Sequence, residues 1–304
     1  MGPIGETIRN IRLSKGIKSI ELYKSILTKQ AAIRFENGLS DTTVSKFFQI
    51  LERLNITLEE YEATYKEENN LDFYFINRYI NLFYKKDTQS LSKLQAEAFE
   101  KYNKTQLEKY NHYVSLIELL INYLNQDKTN EKARAVIADY LMRCESWGYY
   151  EITLFINTIP HLSGDFIDSV YGRVKKKMQT HSNILRYRNE KAILLFNIIE
   201  KKLVNGENNN LQFYMNELYL LKEDTMDNMY IQTMIKYFSL LSNAVTSNSF
   251  GPELWNQIYK IIDFLKFIGL TTKSLQCENL YKQIRQYSEI GKNTKCYDTF
   301  SVDD

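Results

Sequence analysis

The sequence predicts an all-α protein, because helix breakers are scarce and bulky side chains are abundant. Its 304 residues include only 11 Gly and 3 Pro, against 23 Tyr and 16 Phe. Few breakers and many large side chains favour long helices with broad packing faces. Apolar residues recur at spacings of three and four, and no segment alternates convincingly with the period of two that marks a half-buried strand. We therefore expect helices and no sheet.

Residues 1–66 predict a small domain of five helices. In the first helix, Ile4, Ile8 and Ile11 recur at spacings of four and three, which places them on one apolar face. Gly16 follows, and glycine readily adopts the left-handed conformation that ends a helix. A second short helix is expected over residues 20–27.

The third helix is expected over residues 29–36, with Thr28 as its N-cap and an Asn-Gly pair at residues 37–38 as its end. Ser40 and Asp41 are candidate caps for the fourth helix, and residues 52–66 supply the fifth. In the fourth helix we expect four inward-facing side chains: Val44, Phe47, Phe48 and Leu51.

Two short helices with a tight turn, the second carrying polar residues outward, form the layout of a helix-turn-helix that enters the DNA major groove. Residues 4–48 hold eight Lys or Arg against four Asp or Glu, an excess of the sign that a phosphate surface requires. Gln30 can pair with adenine, and Lys29 can donate to guanine or phosphate. Arg12 has an alternative, an ion pair with Glu36 inside the domain. The candidate DNA contacts are Arg9, Arg12, Lys15, Lys18, Lys29, Gln30 and Arg34.

A polar run at residues 67–70 is the best candidate for a linker, and residues 71–304 then read as a train of helices. We expect these helices at about 71–86, 89–104, 106–125, 130–144, 147–159, 164–180, 183–204, 210–222, 227–246, 252–268 and 272–289. Successive helices with short joints suggest antiparallel pairs whose apolar faces are buried by their neighbours. Such pairs stack into a superhelix with a concave surface, and a compact helical bundle is the alternative.

Several classes of site are missing from the sequence. It has no glycine-rich phosphate loop and no His-Glu-x-x-His motif, and its three His residues are isolated. Three distant Cys residues form neither a disulfide framework nor a zinc pattern. No apolar run reaches the length of a membrane span, and the N-terminus lacks an apolar signal core. We expect no catalytic residue, cofactor or metal, no membrane contact, and reduced thiols in the cytoplasm. The basic run at residues 173–177 is expected to be a solvated helix end.

Two stretches carry a resemblance to a known family. Residues 33–38 (Ile-Arg-Phe-Glu-Asn-Gly), 44–48 (Val-Ser-Lys-Phe-Phe) and 51–57 (Leu-Glu-Arg-Leu-Asn-Ile-Thr) resemble the Rgg/GadR/MutR regulators of Gram-positive bacteria. Residues 147–151 (Trp-Gly-Tyr-Tyr-Glu) and 154–157 (Leu-Phe-Ile-Asn) resemble the mid-chain signature of that family. The chain departs from many members at residues 32–33, which are Ala-Ile instead of Ile-Ser.

The resemblance implies a helix-turn-helix of the xenobiotic-response-element type, followed by a superhelix of helical repeats like tetratricopeptide repeats. It implies a cytoplasmic quorum-sensing regulator that binds double-stranded promoter DNA as a homodimer and responds to a short hydrophobic signalling peptide. RNA polymerase is a further candidate partner. A DNA-binding regulator controlled by a protein partner or a metabolite, or a helical-repeat interaction module without DNA binding, are the alternatives.

Asn157 matches an Asn of the mid-chain signature, and an Asn amide can both donate to and accept from a peptide backbone. The candidate peptide-binding residues are Arg143, Tyr150, Asn157, Asn197, Tyr230 and Tyr237. A helix over residues 253–269 is apolar almost all round, so we expect the C-terminal half to supply much of the dimer interface.

Overall fold

The structure is a computed structural model that describes residues 3–68, 75–180, 185–207 and 209–297, and the side chains of these residues except 76, 77, 185, 186 and 287–297. Across these residues it contains helices and turns and no strand. The all-α prediction is therefore confirmed. In the part of the chain that the structure describes, no helix is both long and apolar enough to cross a membrane.

The chain forms two compact units, residues 1–85 and residues 86–304, which we call the head and the body. The helices of the head are α1 (Ile4–Ser14), α2 (Ser19–Tyr23), α3 (Lys29–Glu36), α4 (Val44–Leu54), α5 (Leu58–Glu68) and α6 (Phe75–Tyr84).

The body begins with α7 (Thr88–Thr105), α8 (Glu108–Asn125), α9 (Glu131–Arg143), α10 (Tyr149–Thr158), a 3-10 turn (Ile159–His161), α11 (Gly164–Thr180) and α12 (Leu185–Asn205). It continues with α13 (Leu211–Tyr219), α14 (Leu221–Asp224), α15 (Met229–Ser247), α16 (Pro252–Phe267) and α17 (Thr271–Tyr297). The predicted helix over residues 210–222 is thus divided into α13 and α14.

The division between the two compact units falls between residues 85 and 86, later in the chain than the predicted linker at residues 67–70. Glu67 and Glu68, the first half of the predicted linker, are the last residues of α5. Glu68 is tied to α1, because the Thr7 hydroxyl donates to Glu68 Oε2 at 2.5 Å and Asn10 Nδ2 donates to Glu68 Oε1 at 2.9 Å. Residues 69 and 70 lie outside the described residues. Helix α6, which was expected in the body, belongs to the head.

The head packs around a single apolar core formed by α1 to α5. Its buried members are Ile8, Ile11, Leu22, Tyr23, Ile26, Ala32, Phe35, Ile50, Leu51, Leu54 and Tyr61. The expected N-cap at Thr28 is present, since its hydroxyl accepts the Ala31 N–H at 3.3 Å. Two expectations for α4 are wrong: its N-cap is Thr43, and Val44 and Phe48 are exposed. Their positions follow from the α4 register, which turns Ile50, Leu51 and Leu54 inward.

A buried ion pair joins α1 to α3. Arg12 Nε donates to Glu36 Oε1 at 2.7 Å, and Arg12 Nη2 donates to Glu36 Oε2 at 2.8 Å. The Tyr23 hydroxyl on α2 also donates to Glu36 Oε1, at 2.9 Å. Arg12 Nη1 donates to the Ile17 carbonyl at 2.9 Å. Burial, together with the bond to Glu36, raises the pKa of Tyr23. The guanidinium is fully used inside the head, which corrects its assignment as a DNA contact.

The body is a series of helices that pack on their neighbours in the chain: α7 on α8, α8 on α9, α9 on α10 and α10 on α12. Helix α12 lies at the centre of the second half, where it also packs against α11, α13, α15 and α17. Its buried side chains point to nearly every side of the helix: Tyr187, Ala192, Leu194, Leu195, Phe196, Ile198, Ile199, Lys202 and Leu203.

The basic run at residues 173–177 is not the solvated helix end that its composition predicts. Arg173 Nη1 donates to the carbonyls of Met142 (2.9 Å) and Cys144 (3.2 Å) and so caps the C-terminus of α9. Lys175 Nζ donates to the buried Glu217 at 2.8 Å. These cations are used because the α9 C-terminus and a buried carboxylate of α13 face α11.

Replacing Arg12 by Ala should destabilise the head by about 3–5 kcal/mol, because it leaves the Glu36 carboxylate buried without its partner. Amide hydrogen exchange of residues 4–68 in the full-length protein would measure this loss. The double variant Arg12→Met/Glu36→Leu removes both charges and should recover most of it. The exposed Arg34→Ala is the control, expected within about 0.5 kcal/mol of wild type. Equal losses in Arg12→Ala and Arg34→Ala would contradict a structural role for the pair.

Candidate functional site

Helix α3 presents a continuous outer face of side chains that the core does not use. Ala32, Phe35 and Glu36 point inward and are buried. The opposite face carries Lys29, Gln30, Ile33 and Arg34, all exposed. Lys29 and Gln30 occupy the first turn, and Arg34 follows Gln30 at i+4, on the same side of the helix. The face can therefore offer one amide, two cations and one apolar side chain to a groove.

Three more predicted contacts lie around this helix. Arg9 on α1 is exposed, and its Nη1 donates to Asn37 Oδ1 just beyond the end of α3 at 3.3 Å. Lys15 and Lys18 are exposed on either side of the turn between α1 and α2. With Arg12 removed, six of the seven residues proposed from the sequence remain available to a ligand. Their exposure is the property that phosphate or base contacts require.

Sequence reasoning missed Ile33 as part of the outer face. The available signal was its position, three residues after Gln30 and one before Arg34, which sets it on the polar side of an otherwise amphipathic helix. Arg53, by contrast, is a fold residue. Its Nη1 donates to the carbonyls of Leu22 at 2.8 Å and Lys24 at 2.5 Å and so fixes the end of α2.

In the body, Asn157 on α10 and Asn197 on α12 are brought together. Both side chains are half-buried. Asn157 Nδ2 donates to the Thr153 carbonyl at 2.7 Å. Asn197 Nδ2 donates to the carbonyl of Ile156, the residue before Asn157, at 3.3 Å. Each amide is thus held by its nitrogen, and its Oδ1 atom accepts no hydrogen bond from the described residues. Two fixed acceptors of this kind can receive backbone N–H groups of an extended peptide.

Helix α12 leaves one stripe open beside these amides. Glu190, Ile193, Asn197 and Glu200 recur at spacings of three, four and three, and none of them is buried. The Tyr149 hydroxyl donates to Glu190 Oε1 at 3.0 Å. Glu200 is only partly exposed, and the enclosure of its carboxyl group raises the pKa of that group. The stripe offers an apolar side chain between polar ones, and of its members only Asn197 was proposed from the sequence. Its helical spacing was the signal for the other three.

Tyr150 and Arg143 lie at the start of α10 and the end of α9. The Tyr150 hydroxyl shares a hydrogen bond with His112 Nδ1 at 2.7 Å, and burial lowers the pKa of His112. Tyr140 donates to Glu151 Oε1 at 2.6 Å beside them. Arg143 is exposed, with its Nε donating to the Asp139 carbonyl at 3.3 Å. Tyr150 is thus part of a structural network, whereas the Arg143 guanidinium faces solvent.

One of the candidate peptide-binding residues, Tyr237, is misassigned. Tyr237 is buried, and its hydroxyl donates to the Cys277 carbonyl at 2.6 Å. It therefore joins α15 to α17 and is closed to a ligand. Tyr230, near the start of α15, is half-buried. Trp147 is buried against Phe155, with ring centroids 5.3 Å apart.

A polar cavity of about 660 Å³ lies where α11 begins and α12 ends, and its charged groups serve the fold. Buried Lys202 donates to Asp168 Oδ2 at 3.2 Å, and Asn210 donates to the same oxygen at 2.9 Å. The Tyr214 hydroxyl donates to Asp168 Oδ1 at 2.6 Å. These bonds hold the pKa of Asp168 below its usual value despite its burial. The network ties α11 to α12 and α13, so its charges are already paired.

The C-terminal helices expose a group of apolar side chains. Ile258, Ile262 and Leu265 of α16 are buried against neighbouring helices. Phe267, at the end of α16, is 87% exposed. Further exposed members of this C-terminal patch are Tyr259, Ile268, Leu270 and Leu275. The body covers one side of α16, and the described residues leave this patch exposed.

Within the described ranges, no three His, Cys, Asp or Glu side chains gather into an arrangement that could hold a metal ion. Cys144 and Cys277 are free thiols. Residue His181 and the side chain of Cys296 lie outside the described residues.

Known proteins share this arrangement. A sequence model of the family described as HTH-type transcriptional regulator Rgg, C-terminal domain, matches residues 91–279. A structure from Listeria monocytogenes EGD-e, described as a transcriptional regulator, is similar with a TM-score of 0.80 and 20% identity, over 95% of this chain and 99% of that one.

Two pheromone-related structures are also similar. The SHP pheromone receptor Rgg2 of Streptococcus dysgalactiae gives a TM-score of 0.70 at 19% identity, over 92% of this chain and 99% of that one. PrgX in its complex with cCF10 gives 0.64 at 16% identity, over 93% of this chain and 99% of that one. At these identities the likeness shows the fold, and it confirms a helix-turn-helix head followed by a helical-repeat body.

Proposed function

Since this chain belongs to the Rgg family of HTH-type transcriptional regulators, we propose that it binds promoter DNA as a dimer and is controlled by a short, largely apolar peptide held in its body. The observation that carries the proposal is the outer face of α3. Gln30 and its neighbours are exposed there on a helix whose other side is anchored in the core. The protein would work in the cytoplasm, where the promoter is.

The DNA-binding part of the proposal follows from the chemistry of this face. The amide of Gln30 suits adenine, which presents one donor and one acceptor in the major groove. Lys29 and Arg34 suit guanine or phosphate, and the exposed Arg9, Lys15 and Lys18 suit the sugar-phosphate backbone. One helix reads only a few base pairs, so selective binding calls for two heads on an inverted repeat, with half-sites about 34–36 Å apart or a multiple of that distance.

The peptide-binding part is supported by Asn157 and Asn197. A peptide that enters an apolar groove loses about 1–3 kcal/mol for each backbone group left unpaired. The two fixed Oδ1 acceptors would pair two of its N–H groups, while Ile193 would contact an apolar side chain. The exposed Arg143 could meet a carboxylate in a two-pronged bond, and Tyr230 could form part of the wall. The pheromone receptor Rgg2 and the PrgX complex share this fold, which favours the same kind of ligand here.

Control would arise from a shift between two arrangements of the body helices. A peptide can bias that equilibrium only through its different affinity for the two arrangements. Asn157 and Asn197 belong to α10 and α12, which are joined by the Asn197–Ile156 and Tyr149–Glu190 hydrogen bonds. A ligand that engages both amides therefore favours one relative position of these helices. A regulator controlled by a metabolite or a protein partner would show no such dependence on a peptide.

Replacing Gln30 by Ala should weaken binding to the selected promoter duplex by about 1–3 kcal/mol and relax the preference at one base pair of each half-site. Electrophoretic mobility shift with the four possible bases at each position would show which pair it is. Lys18→Ala is the matched control. It should weaken all sequences alike and reduce the salt dependence. Unchanged affinity and base preference in Gln30→Ala would contradict the assignment of α3 as the recognition helix.

Replacing Asn157 by Ala should reduce peptide affinity by at least about tenfold, since it removes a fixed hydrogen-bond partner. Promoter binding without peptide should be retained. Titration calorimetry with synthetic peptides encoded by short reading frames beside the gene would measure this, and Asn243→Ala, an exposed Asn on α15, is the control. Equal affinity in both variants would remove Asn157 from the site. If wild type binds none of the peptides, control by a metabolite or a protein partner becomes the better account.

Replacing Phe267 by Ser should weaken self-association by at least about tenfold, because large apolar side chains at the centre of an interface contribute the most binding energy. The C-terminal patch is the part of the body where a second copy would bury apolar surface. Sedimentation velocity over a range of protein concentrations would measure the change. Leu220→Ser is the control, since Leu220 is 68% exposed between α13 and α14. A dimer equally stable in both variants would place the interface elsewhere.

A further inference from the structure

Ile33 has no visible role in the stability of the head. It is 49% exposed and lies outside the apolar core, which α3 joins through Ala32 and Phe35. The partly buried side chains that pack on that core are Ile17, Leu27, Phe47, Ile56 and Tyr65, and Ile33 is not among them. Isolated exposed apolar residues are common, so exposure alone implies nothing. The position of Ile33 within the α3 face is the informative feature.

The outer face of α3 places Ile33 between hydrogen-bonding side chains. Gln30 precedes it by three residues and Lys29 by four, so both are its neighbours on the helix surface, and Arg34 follows it directly. Any surface that accepts the amide of Gln30 and the ammonium group of Lys29 therefore also meets the branched Ile33 side chain, which lies between them. A partner that docks here must present an apolar group to Ile33, or else the Ile33 side chain makes no packing contact with it.

The DNA major groove offers one apolar group at the edges of its bases, the C5-methyl group of thymine. Phosphates, sugars and the remaining base-edge groups of that groove are polar or offer no protruding methyl. An isoleucine cannot donate or accept a hydrogen bond, so it can contribute to base selection only through this methyl group or by excluding a polar group.

We infer that Ile33 is a specificity-determining residue, which selects a thymine in each half-site by packing against its C5-methyl group, next to the base pair read by Gln30. The inference rests on the proposed DNA binding through α3. It adds a thymine requirement that none of the polar side chains of the face would impose. The contact of Ile33 with the methyl group is purely apolar. It therefore adds no charge and no hydrogen bond to the interface.

The test uses the full-length protein and a duplex obtained from random-sequence DNA by repeated selection for binding. Each thymine of the selected duplex is replaced in turn by uracil, which lacks only the C5-methyl group. For one thymine in each half-site, wild type should lose affinity by about fourfold per methyl group, the equivalent of one buried CH₂. Fluorescence anisotropy titration would measure the dissociation constants.

The Ile33 variants separate the methyl contact from a general loss of binding. Ile33→Ser should bind the thymine and uracil duplexes equally, because Ser and Ile have similar helix propensities but Ser has no apolar branch. Ile33→Val keeps the branch at Cβ and should keep a preference for thymine. Leu58→Ser is the control: Leu58 is 48% exposed and lies on α5, and this variant should show the full wild-type effect of uracil.

Each outcome decides the inference. A uracil penalty of similar size in wild type and Ile33→Ser, or no penalty at any thymine in wild type, overturns it while leaving the proposed DNA binding intact. Failure to select any duplex refutes the DNA binding itself, and the assignment of Ile33 falls with it. A penalty confined to one thymine per half-site, lost in Ile33→Ser and kept in Leu58→Ser, supports it. Circular dichroism of the variants confirms that each is folded.

Discussion

Burial of α12 is the constraint on which the second half of the body depends. Eight apolar side chains in the described part of this helix are removed from water on nearly all of its sides, and each Leu, Ile or Phe among them contributes about 1.5–3 kcal/mol. One or two neighbours cannot cover such a helix, so α10, α11, α13, α15 and α17 all contact it. The stripe formed by Glu190, Ile193, Asn197 and Glu200 stays at least partly exposed. The proposed peptide site is therefore a consequence of how the core is closed.

Polar groups inside the body fix which helices become these neighbours. Asp168 of α11 receives hydrogen bonds from Lys202 of α12 and from Asn210 and Tyr214 at the start of α13. Glu217 of α13 accepts from Tyr171 and Lys175 of α11. A buried carboxylate is tolerated only when such partners compensate its lost hydration. Apolar packing alone would permit helices to slide, whereas these bonds allow one register.

In the head, a smaller set of buried polar groups also fixes how the helices pack. Arg12, Glu36 and Tyr23 join three helices through bonds of 2.7–2.9 Å, and an unpaired member would carry a large desolvation cost. The inner side of α3 makes these contacts with the rest of the head, and the residues on its outer side are not needed for them. The exposed residues of α3 can therefore vary with the DNA that is read, while the fold is held from within.

Local chemistry alone determined the helices and most of their ends, because spacing, caps and breakers act over a few residues. The sequence placed α3 at residues 29–36 and α11 at 164–180, where the structure has them. Only the tertiary structure decided the rest. Arg12 and Glu36 are 24 residues apart, and their pairing depends on how α1 packs on α3. The sequence suggested Tyr237 as a peptide-binding residue, but in the structure its hydroxyl donates to the Cys277 carbonyl of α17. The partly exposed stripe of α12 exists because helices from several other parts of the chain cover most of its surface, a property that no local pattern contains.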